Sequence, residues 1–161
     1  MSEILSSLTK KFPDSITSTK VQRKTRLWVT VKFDVLIDVC KYLKNEQDFN
    51  HLSSVVGVDY KDKFEVVYHL WSYSKKIQLS LKVPLEKKNP KVKTVTKIWR
   101  SANWHERETA ELFGIIFEEH PYPKHLLLAD DFEGYPLRKD FKLVEKPWYD
   151  KNDASEKQKT D

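Results

Sequence analysis

The chain has 161 residues, 39% of them hydrophobic and 33% charged, which is enough apolar material for one domain with a packed core. Its apolar runs fall short of the roughly 18–20 residues that cross a bilayer, and its first residues lack a secretory-signal pattern, so we expect a cytoplasmic protein. Cys40 is the only cysteine. One thiol cannot form an internal disulfide or supply the about four ligands of an iron–sulfur cluster, which excludes a cluster held by this chain alone.

The net charge of +5 has two interpretations. A basic surface for nucleic acid or anionic lipid is one of them. The other is a heavily ionised, soluble surface of the kind enriched in proteins of heat-adapted organisms. We prefer the second, because the lysines are interleaved with acidic residues along the chain.

Helical periodicity occurs at two places in the first half of the chain. Residues 3–11 form a short amphipathic pattern. Residues 35–45 place apolar side chains three and four apart, as on a helix that faces a core, and Asp34 is positioned as the N-cap. We therefore expect two helices here.

Alternation of apolar and polar residues predicts five strands, at 16–23, 27–33, 52–60, 64–72 and 77–83. Short polar turns join the last three strands, which makes them an antiparallel meander. Residues 85–93 resemble a solvated loop, and residues 94–100 a short helix. The expected fold is α+β, with helices on one face of a mostly antiparallel sheet, followed by an extended C-terminal arm.

A third helix is predicted over residues 104–113. Asn103 and Glu106 have the spacing of a capping box at its start, and Gly114 can take the left-handed conformation that ends a helix. Arg107 and Glu111 are four residues apart, so they are expected to form an ion pair on its surface.

Prolines break every regular pattern from residue 118 onward. We therefore expect an α+β domain over residues 1–117, an extended docking arm over 118–143 and a flexible charged tail over 144–161. In the segment 133–141, EGYPLRKDF, a glycine and a proline set a bend between apolar anchors and charged residues. A segment without regular backbone pairing is ordered only where another surface supplies hydrogen bonds, so the arm is predicted to bind a partner.

The polar residues of the third helix also allow two enzymatic hypotheses. The dipeptide His-Glu at 105–106 begins a zinc-protease motif, but position 109 is threonine where a second histidine is required. Glu108 and Glu111 share a helix face and could act as a general acid and base. Ion pairing, or contact with basic groups of another protein, explains these acids better. We therefore expect neither a metal site nor a catalytic residue.

Several motifs resemble one known family. Residues 106–113 (ERETAELF), His120 and residues 124–127 (KHLL) resemble the signature of the 30 kDa subunit of respiratory complex I. The lead-in at 101–108 (SANWHERE) is similar as well, and so is the segment 133–141, except that Tyr135 stands where the family has histidine. The resemblance covers about residues 51–143.

This resemblance implies a non-catalytic structural or assembly subunit in the hydrophilic arm of a complex-I-related membrane oxidoreductase. It implies partners in the large catalytic subunit and the small iron–sulfur subunit, with no nucleic acid. It implies no cofactor in this chain, because the iron–sulfur clusters, and nickel–iron in one branch, belong to the partners. The chain would be peripheral, on the cytoplasmic side of the membrane. The implied partner-interface residues are Trp104, Glu106, Arg107, Glu108, Glu111, His120, Gly134, Tyr135, Pro136, Arg138, Lys139, Asp140 and Phe141.

Two branches of the family fit the sequence. The short, lysine-rich and glycine-poor chain is typical of a thermophile, and residues 121–125 (PYPKH) replace an arginine-rich stretch. These features favour a membrane-bound hydrogenase or sulfur-reductase complex. The alternative is the equivalent subunit of an NADH, F420 or ferredoxin:quinone-type oxidoreductase. A basic nucleic-acid-binding module is a distant third interpretation.

Overall fold

A computed structural model describes residues 2–142 of the chain. Within them lie three α-helices, α1 (Ser2–Lys11), α2 (Leu36–Asn45) and α3 (Ala102–Phe113). The strands are β1 (Ile16–Arg23), β2 (Arg26–Val31), β3 (His51–Asp59), β4 (Lys63–Ser72), β5 (Ile77–Glu86), β6 (Lys91–Lys93) and β7 (Ile116–Glu118). The predicted tail over 144–161, and the last residue of the predicted arm, lie outside the described residues.

The main sheet has five strands in the order β1-β2-β5-β4-β3. Three of its four pairings are antiparallel, including the meander from β3 to β5. The fourth, between β2 and β5, is parallel and aligns Leu27 with Leu79. The predicted α+β fold with a mostly antiparallel sheet is therefore confirmed. Alternation within one strand does not specify its neighbours, which is why the parallel pair could not be predicted.

One face of the sheet, called the helix face here, carries the core. Leu27, Leu79 and Leu70 lie side by side on it and are fully buried. The side chains of α2 that point inward, such as Leu43, belong to the same apolar cluster. Gly57 of β3 admits α3 closely, because a Cβ at this position would lie 2.6 Å from the ring of Phe113. The helices are thus on one face, as the sequence predicts.

The opposite face, called the open face, carries the side chains that alternate with the core residues along the same strands. Trp28, Ser80 and His69 lie in one row across it. Within residues 2–142, none of the side-chain hydrogen bonds, ion pairs or ring contacts of the helices or arm reaches these three side chains. Among the described residues, the helices and the arm therefore pack on one face of the sheet and leave the other face uncovered.

Two local predictions before α3 are wrong. Helix α2 begins at Leu36 after a 3-10 turn, with Val35 at its cap position and no capping side chain, so Asp34 is not the N-cap. Residues 94–100 form hydrogen-bonded turns and no helix, since the N–H groups of Ile98 and Trp99 both bond to the carbonyl of Val95. Groups distant in sequence bind the start of this run, since the N–H of Thr94 bonds to the carbonyl of Glu118 and that of Val95 to the carboxylate of Glu106.

The segment predicted as a solvated loop, 85–93, contains strand structure at both ends. β5 continues through Pro84 to Glu86, and β6 pairs in parallel with β7, which places Val92 opposite Phe117. The N–H of Ile116 also bonds to the carbonyl of Pro90. These bonds hold the two ends of the α3 segment together and fix where the helix and the following arm lie.

Candidate partner-binding site on helix α3 and the arm

The arm runs along α3 from residue 119 to residue 142, the last described residue. Most of its side chains are exposed, and it forms turns and irregular structure. Its backbone is nevertheless bonded to this chain at three places. The surface that the arm was expected to need for its hydrogen bonds is supplied at these places by α3 and β3 of the same chain.

The carboxylate of Glu111 forms the first anchor. It accepts N–H bonds from Leu126 at 2.8 Å, from Leu127 at 2.9 Å and from Leu128 at 3.3 Å. Consecutive N–H groups that converge on one anion form a backbone nest, a strong arrangement for a buried carboxylate. Glu111 is buried and bound in this way, so it has no free oxygen for proton transfer.

Arg107 forms the second anchor, one helical turn away. Its Nε donates to the carbonyl of Lys124 at 2.8 Å and its Nη2 to that of His125 at 2.7 Å. The guanidinium also lies over the rings of Trp104 and Tyr122, at 5.4 Å and 4.9 Å. Across the described residues Arg107 has no ion pair with Glu111. The predicted pair is wrong, because both side chains bind arm backbone.

The third anchor joins the end of α3 to the EGYPLRKDF segment. Gly114 adopts φ 67° and ends the helix, as predicted. A Cβ there would lie 2.6 Å from the ring of Tyr135. Arg138 donates from Nε to the carbonyl of Phe113 at 2.6 Å and lies 4.3 Å above the Tyr135 ring. A side chain at position 114 would therefore displace both arm residues.

Asp59, at the end of β3, completes this anchor. Its Oδ2 accepts the N–H of Lys139 at 2.8 Å, and its Oδ1 lies 2.6 Å from the ammonium of Lys87. Burial alone would raise the pKa of Asp59, but Lys87 and the Lys139 N–H together lower it below its usual value. This role was not predicted from the sequence. The sequence feature that could have indicated it is the position of Asp59, an acidic residue that continues the buried alternation of an otherwise apolar strand.

Glu106 is fully buried under α3 and does not form a capping box. Its Oε2 accepts from Thr94 Oγ1 at 2.5 Å and its Oε1 from the N–H of Val95 at 2.8 Å. Burial raises the pKa of Glu106 to about 7, although these two hydrogen bonds oppose the shift. The helix begins at Ala102, so the predicted cap residue, Asn103, lies inside it. Glu106 instead ties the preceding turns to α3.

His120 lies beside Glu106, with 3.8 Å between its Nε2 and Glu106 Oε2. Its Nδ1 accepts the N–H of Tyr122 at 3.1 Å, which leaves the proton on Nε2, facing the carbonyl of Asn103 at 3.3 Å. Burial, aided by the charge of Arg107, lowers the pKa of His120. The imidazole is therefore neutral, and its two hydrogen bonds join the start of the arm to α3.

The remaining predicted interface residues lie around these anchors. Trp104 is 59% exposed and Glu108 half-buried on the outer side of α3. Gly134 has φ 89°, which allows the bend beside Phe141, and Phe141 stacks on Phe132 with ring centroids 6.1 Å apart. Three further residues complete the set: Pro136 is half-buried, and Lys139 and Asp140 are exposed. The structure thus places all of these residues along one strip of α3 and arm.

A cavity of about 260 Å³ lies between α3 and the arm, lined by Glu106, Glu111, Arg107 and His120 among others. Every one of these four groups already has a hydrogen-bond partner in the chain. Among residues 2–142, no three potential metal ligands come together. The geometry favours a structural role for these side chains, in which Arg107 and Glu111 hold the exposed arm in place.

No helix within residues 2–142 has both the length and the apolar character needed to cross a membrane.

Comparison with known proteins gives consistent results. The model of the family described as respiratory-chain NADH dehydrogenase, 30 kDa subunit, matches residues 29–147. The subunit designated C in the F420H2 dehydrogenase of Methanosarcina mazei is 45% identical over 141 residues, covering 86% of this chain and 89% of that protein. The subunit of the same designation in the NADH-quinone oxidoreductase of Roseiflexus sp. strain RS-1 is 40% identical, with 87% and 83% covered.

Two solved structures share the fold. A chain in the membrane-bound sulfane sulfur reductase, an archaeal respiratory membrane complex, matches with a TM-score of 0.79 and 28% identity, covering 89% of this chain and 86% of that one. A trypsin-resistant fragment of Nqo5 matches with a TM-score of 0.64 and 28% identity, covering 75% of this chain and 97% of the fragment.

These matches define a subunit of a complex-I-like oxidoreductase, which is not catalytic on its own. The chain belongs to the respiratory-chain NADH dehydrogenase 30 kDa subunit family. The resemblance inferred from the sequence motifs is therefore confirmed.

Proposed function

We propose that α3 and the arm dock this chain onto the large catalytic subunit and the small iron–sulfur subunit of its complex. The observation that carries this proposal is that the arm's backbone is anchored while its apolar side chains face outward. Leu127 is 64% exposed, Leu137 53% and Tyr135 41%, and Trp104 adds a fourth large surface. Apolar and aromatic side chains held rigidly at a surface are typical of interface centres.

In this proposal the buried residues act indirectly. Glu106, Glu111 and His120 have little surface to offer a partner, so they shape the strip that Trp104, Glu108, Tyr135 and the charged arm residues present. The redox centres are iron–sulfur clusters in the partner subunits, joined by nickel and iron in a hydrogenase-type complex. The chain is peripheral, bound through the complex to the cytoplasmic side of the membrane.

We further propose that the complex is of the dehydrogenase type. The curated relatives with 45% and 40% identity are subunits of an F420H2 dehydrogenase and an NADH-quinone oxidoreductase. The sulfur-reductase or hydrogenase branch, which the sequence features favour, is the second candidate. It is supported by the structural match to the sulfane sulfur reductase, at 28% identity.

Affinity purification from gently solubilised membranes tests the docking. We expect the tagged chain to recover a large subunit and a cluster-bearing subunit. We expect the double variant Leu127→Asp with Tyr135→Asp to lose them. Tyr73→Asp, at an exposed site on the β4–β5 turn, is the matched control and should retain both partners. A wild-type chain that purifies alone, or an arm variant that assembles fully, contradicts the proposal.

The same purified complex separates the two branches. A dehydrogenase-type complex should oxidise F420H2 or NADH, and its large subunit should lack the four cysteine ligands of a nickel–iron site. A large subunit that carries those four cysteines, or a complex that instead reduces sulfane sulfur, would assign the chain to the other branch.

A further inference from the structure

The open face and the neighbouring edge of the sheet have a composition unlike that of the arm. Trp28 lies on this face in β2, next to the edge strand, with Lys82 Nζ 4.3 Å from its ring centroid. Lys82 is also 3.1 Å from Glu65, so the acid of this region is already paired. Trp71 lies on the same face, one row further along the sheet. Aromatic rings beside cations form an amphipathic surface that favours an anionic partner.

The β1–β2 hairpin extends this surface with further positive charge. Between Asp14 and Asp34 the sequence has five basic residues and no acidic one. Lys20 pairs with Trp28 across the hairpin and Arg26 is two residues before Trp28, so both lie on the open-face side. Within this hairpin the basic residues are gathered and have no acid among them.

β1 is the edge strand of the sheet, and seven of its eight residues are exposed. No strand of residues 2–142 pairs with its outer row of backbone N–H and C=O groups, which can therefore pair with another polypeptide strand. Val21, 51% exposed, offers an apolar contact beside that row. Phosphate groups of a lipid or a nucleic acid could accept from the N–H groups but would leave the C=O groups unpaired, whereas a polypeptide strand pairs with both, which favours a protein segment as the partner.

Charge decides which protein segment fits. Two copies of β1 paired together would bring the basic residues of both strands, Lys20 and Arg23, close to one another, and like charges across a strand pair are destabilising. The positive charge of this face also affects one of its own residues. Burial lowers the pKa of His69, and the charges of Lys82 and Arg26 lower it further. An acidic strand removes the repulsion that a second copy of this chain would create.

We propose that β1 and the adjacent open face form a second docking surface, which binds an acidic segment of another protein as an added strand. The carboxylates of that segment would lie against Lys20 and Arg26 on the open-face side, and the apolar residues that alternate with them against Val21 on the helix-face side. This surface lies at the opposite edge of the sheet from β3, which contacts α3. It therefore engages a segment distinct from the one that the arm contacts.

Site-specific photo-crosslinking in the assembled complex tests this inference. A photoreactive residue replaces Val21 in the full-length chain, and mass spectrometry maps the adduct. We expect a single peptide of net negative charge from another protein. The double variant Lys20→Glu with Arg26→Glu should reduce the adduct about tenfold or more, because it reverses the attraction. Lys10→Glu with Lys41→Glu, at exposed sites on α1 and α2, should leave it unchanged.

A second photoreactive residue, at Leu127, separates this inference from the docking of the arm. Adducts at Leu127 without any at Val21 would overturn the edge-strand proposal alone. An adduct of Val21 with a neutral or basic peptide, a second copy of this chain, lipid or nucleic acid would also overturn it. If neither position forms an adduct in the purified complex, both proposals are wrong.

Discussion

The sheet domain and the arm are stabilised in opposite ways. Leu81 and Phe49 in the domain are fully buried among apolar neighbours, whereas the arm leaves Leu127 and Leu137 largely exposed. Charged side chains hold the arm instead, by bonding to its backbone or by bonding it to the end of α3. An exposed segment can thus be ordered without a core when charged side chains of its neighbours satisfy backbone N–H and C=O groups.

The largest effect should come from the apolar core of the domain. Phe49→Ala is expected to lower the free energy of unfolding by about 4 kcal/mol, because it removes a fully buried ring and leaves a cavity. Urea unfolding followed by circular dichroism measures the change. Val21→Ala, at an exposed position, should change stability by less than about 0.5 kcal/mol. Equal effects of the two substitutions would contradict the comparison.

The pH dependence of stability should depend next on Glu106. Folding raises its pKa from 4.5 to about 7, so its favourable contribution is complete below pH 4.5 and is lost as pH rises through 7. The lost contribution is on the order of 3 kcal/mol. The advantage of Glu106→Gln over the wild type should therefore grow over this interval in unfolding measurements.

Two features make this pH test specific. His120 acts in the opposite sense, because its lowered pKa makes acidification unfavourable, and it is present in both proteins. Glu108→Gln, at a half-buried position on the same helix, serves as the control for the loss of a carboxylate as such. A constant difference between wild type and Glu106→Gln from pH 4.5 to about 7 would contradict the burial argument.

A smaller and local effect is expected at the first arm anchor. Glu111→Gln keeps the shape of the side chain but points an NH2 group at the N–H groups of Leu126 to Leu128. Loss of a charge-assisted acceptor should cost about 2 kcal/mol. Amide hydrogen exchange at those three residues should accelerate about 30-fold while β4 and β5 keep their protection. If the strands lose protection equally, the arm and domain are one cooperative unit.

The smallest effect should appear at the other end of the arm. Arg138→Lys keeps the charge but loses the planar group above Tyr135 and the bond from Nε to Phe113. We expect a loss of about 1 kcal/mol, seen as faster hydrogen exchange at residues 137–139. Lys139→Ala should have a lesser effect, because Asp59 binds the N–H of Lys139, which alanine retains. A greater effect for Lys139→Ala than for Arg138→Lys would mean that the side chain of Lys139, and not that of Arg138, holds this end of the arm.

Local patterns predicted much of the fold and less of the site. The alternation in β1 and β4 located both strands to within one residue, and the glycine after residue 113 marked the end of α3. These features depend on neighbours in sequence. The Asn103 capping box and the Arg107–Glu111 pair also follow local rules, yet both were wrong, because backbone groups distant in sequence bind Glu106, Arg107 and Glu111 more strongly than their helical neighbours could.

Periodicity and motifs contiguous along the chain were enough to establish the α+β class, the amphipathic elements and the family. Two other features became visible only in the folded chain: β2 pairs with β5, and the carboxylate of Asp59 binds the N–H of Lys139. Such contacts join residues tens of positions apart. Their free energy depends on burial and charge after folding, which no local pattern records.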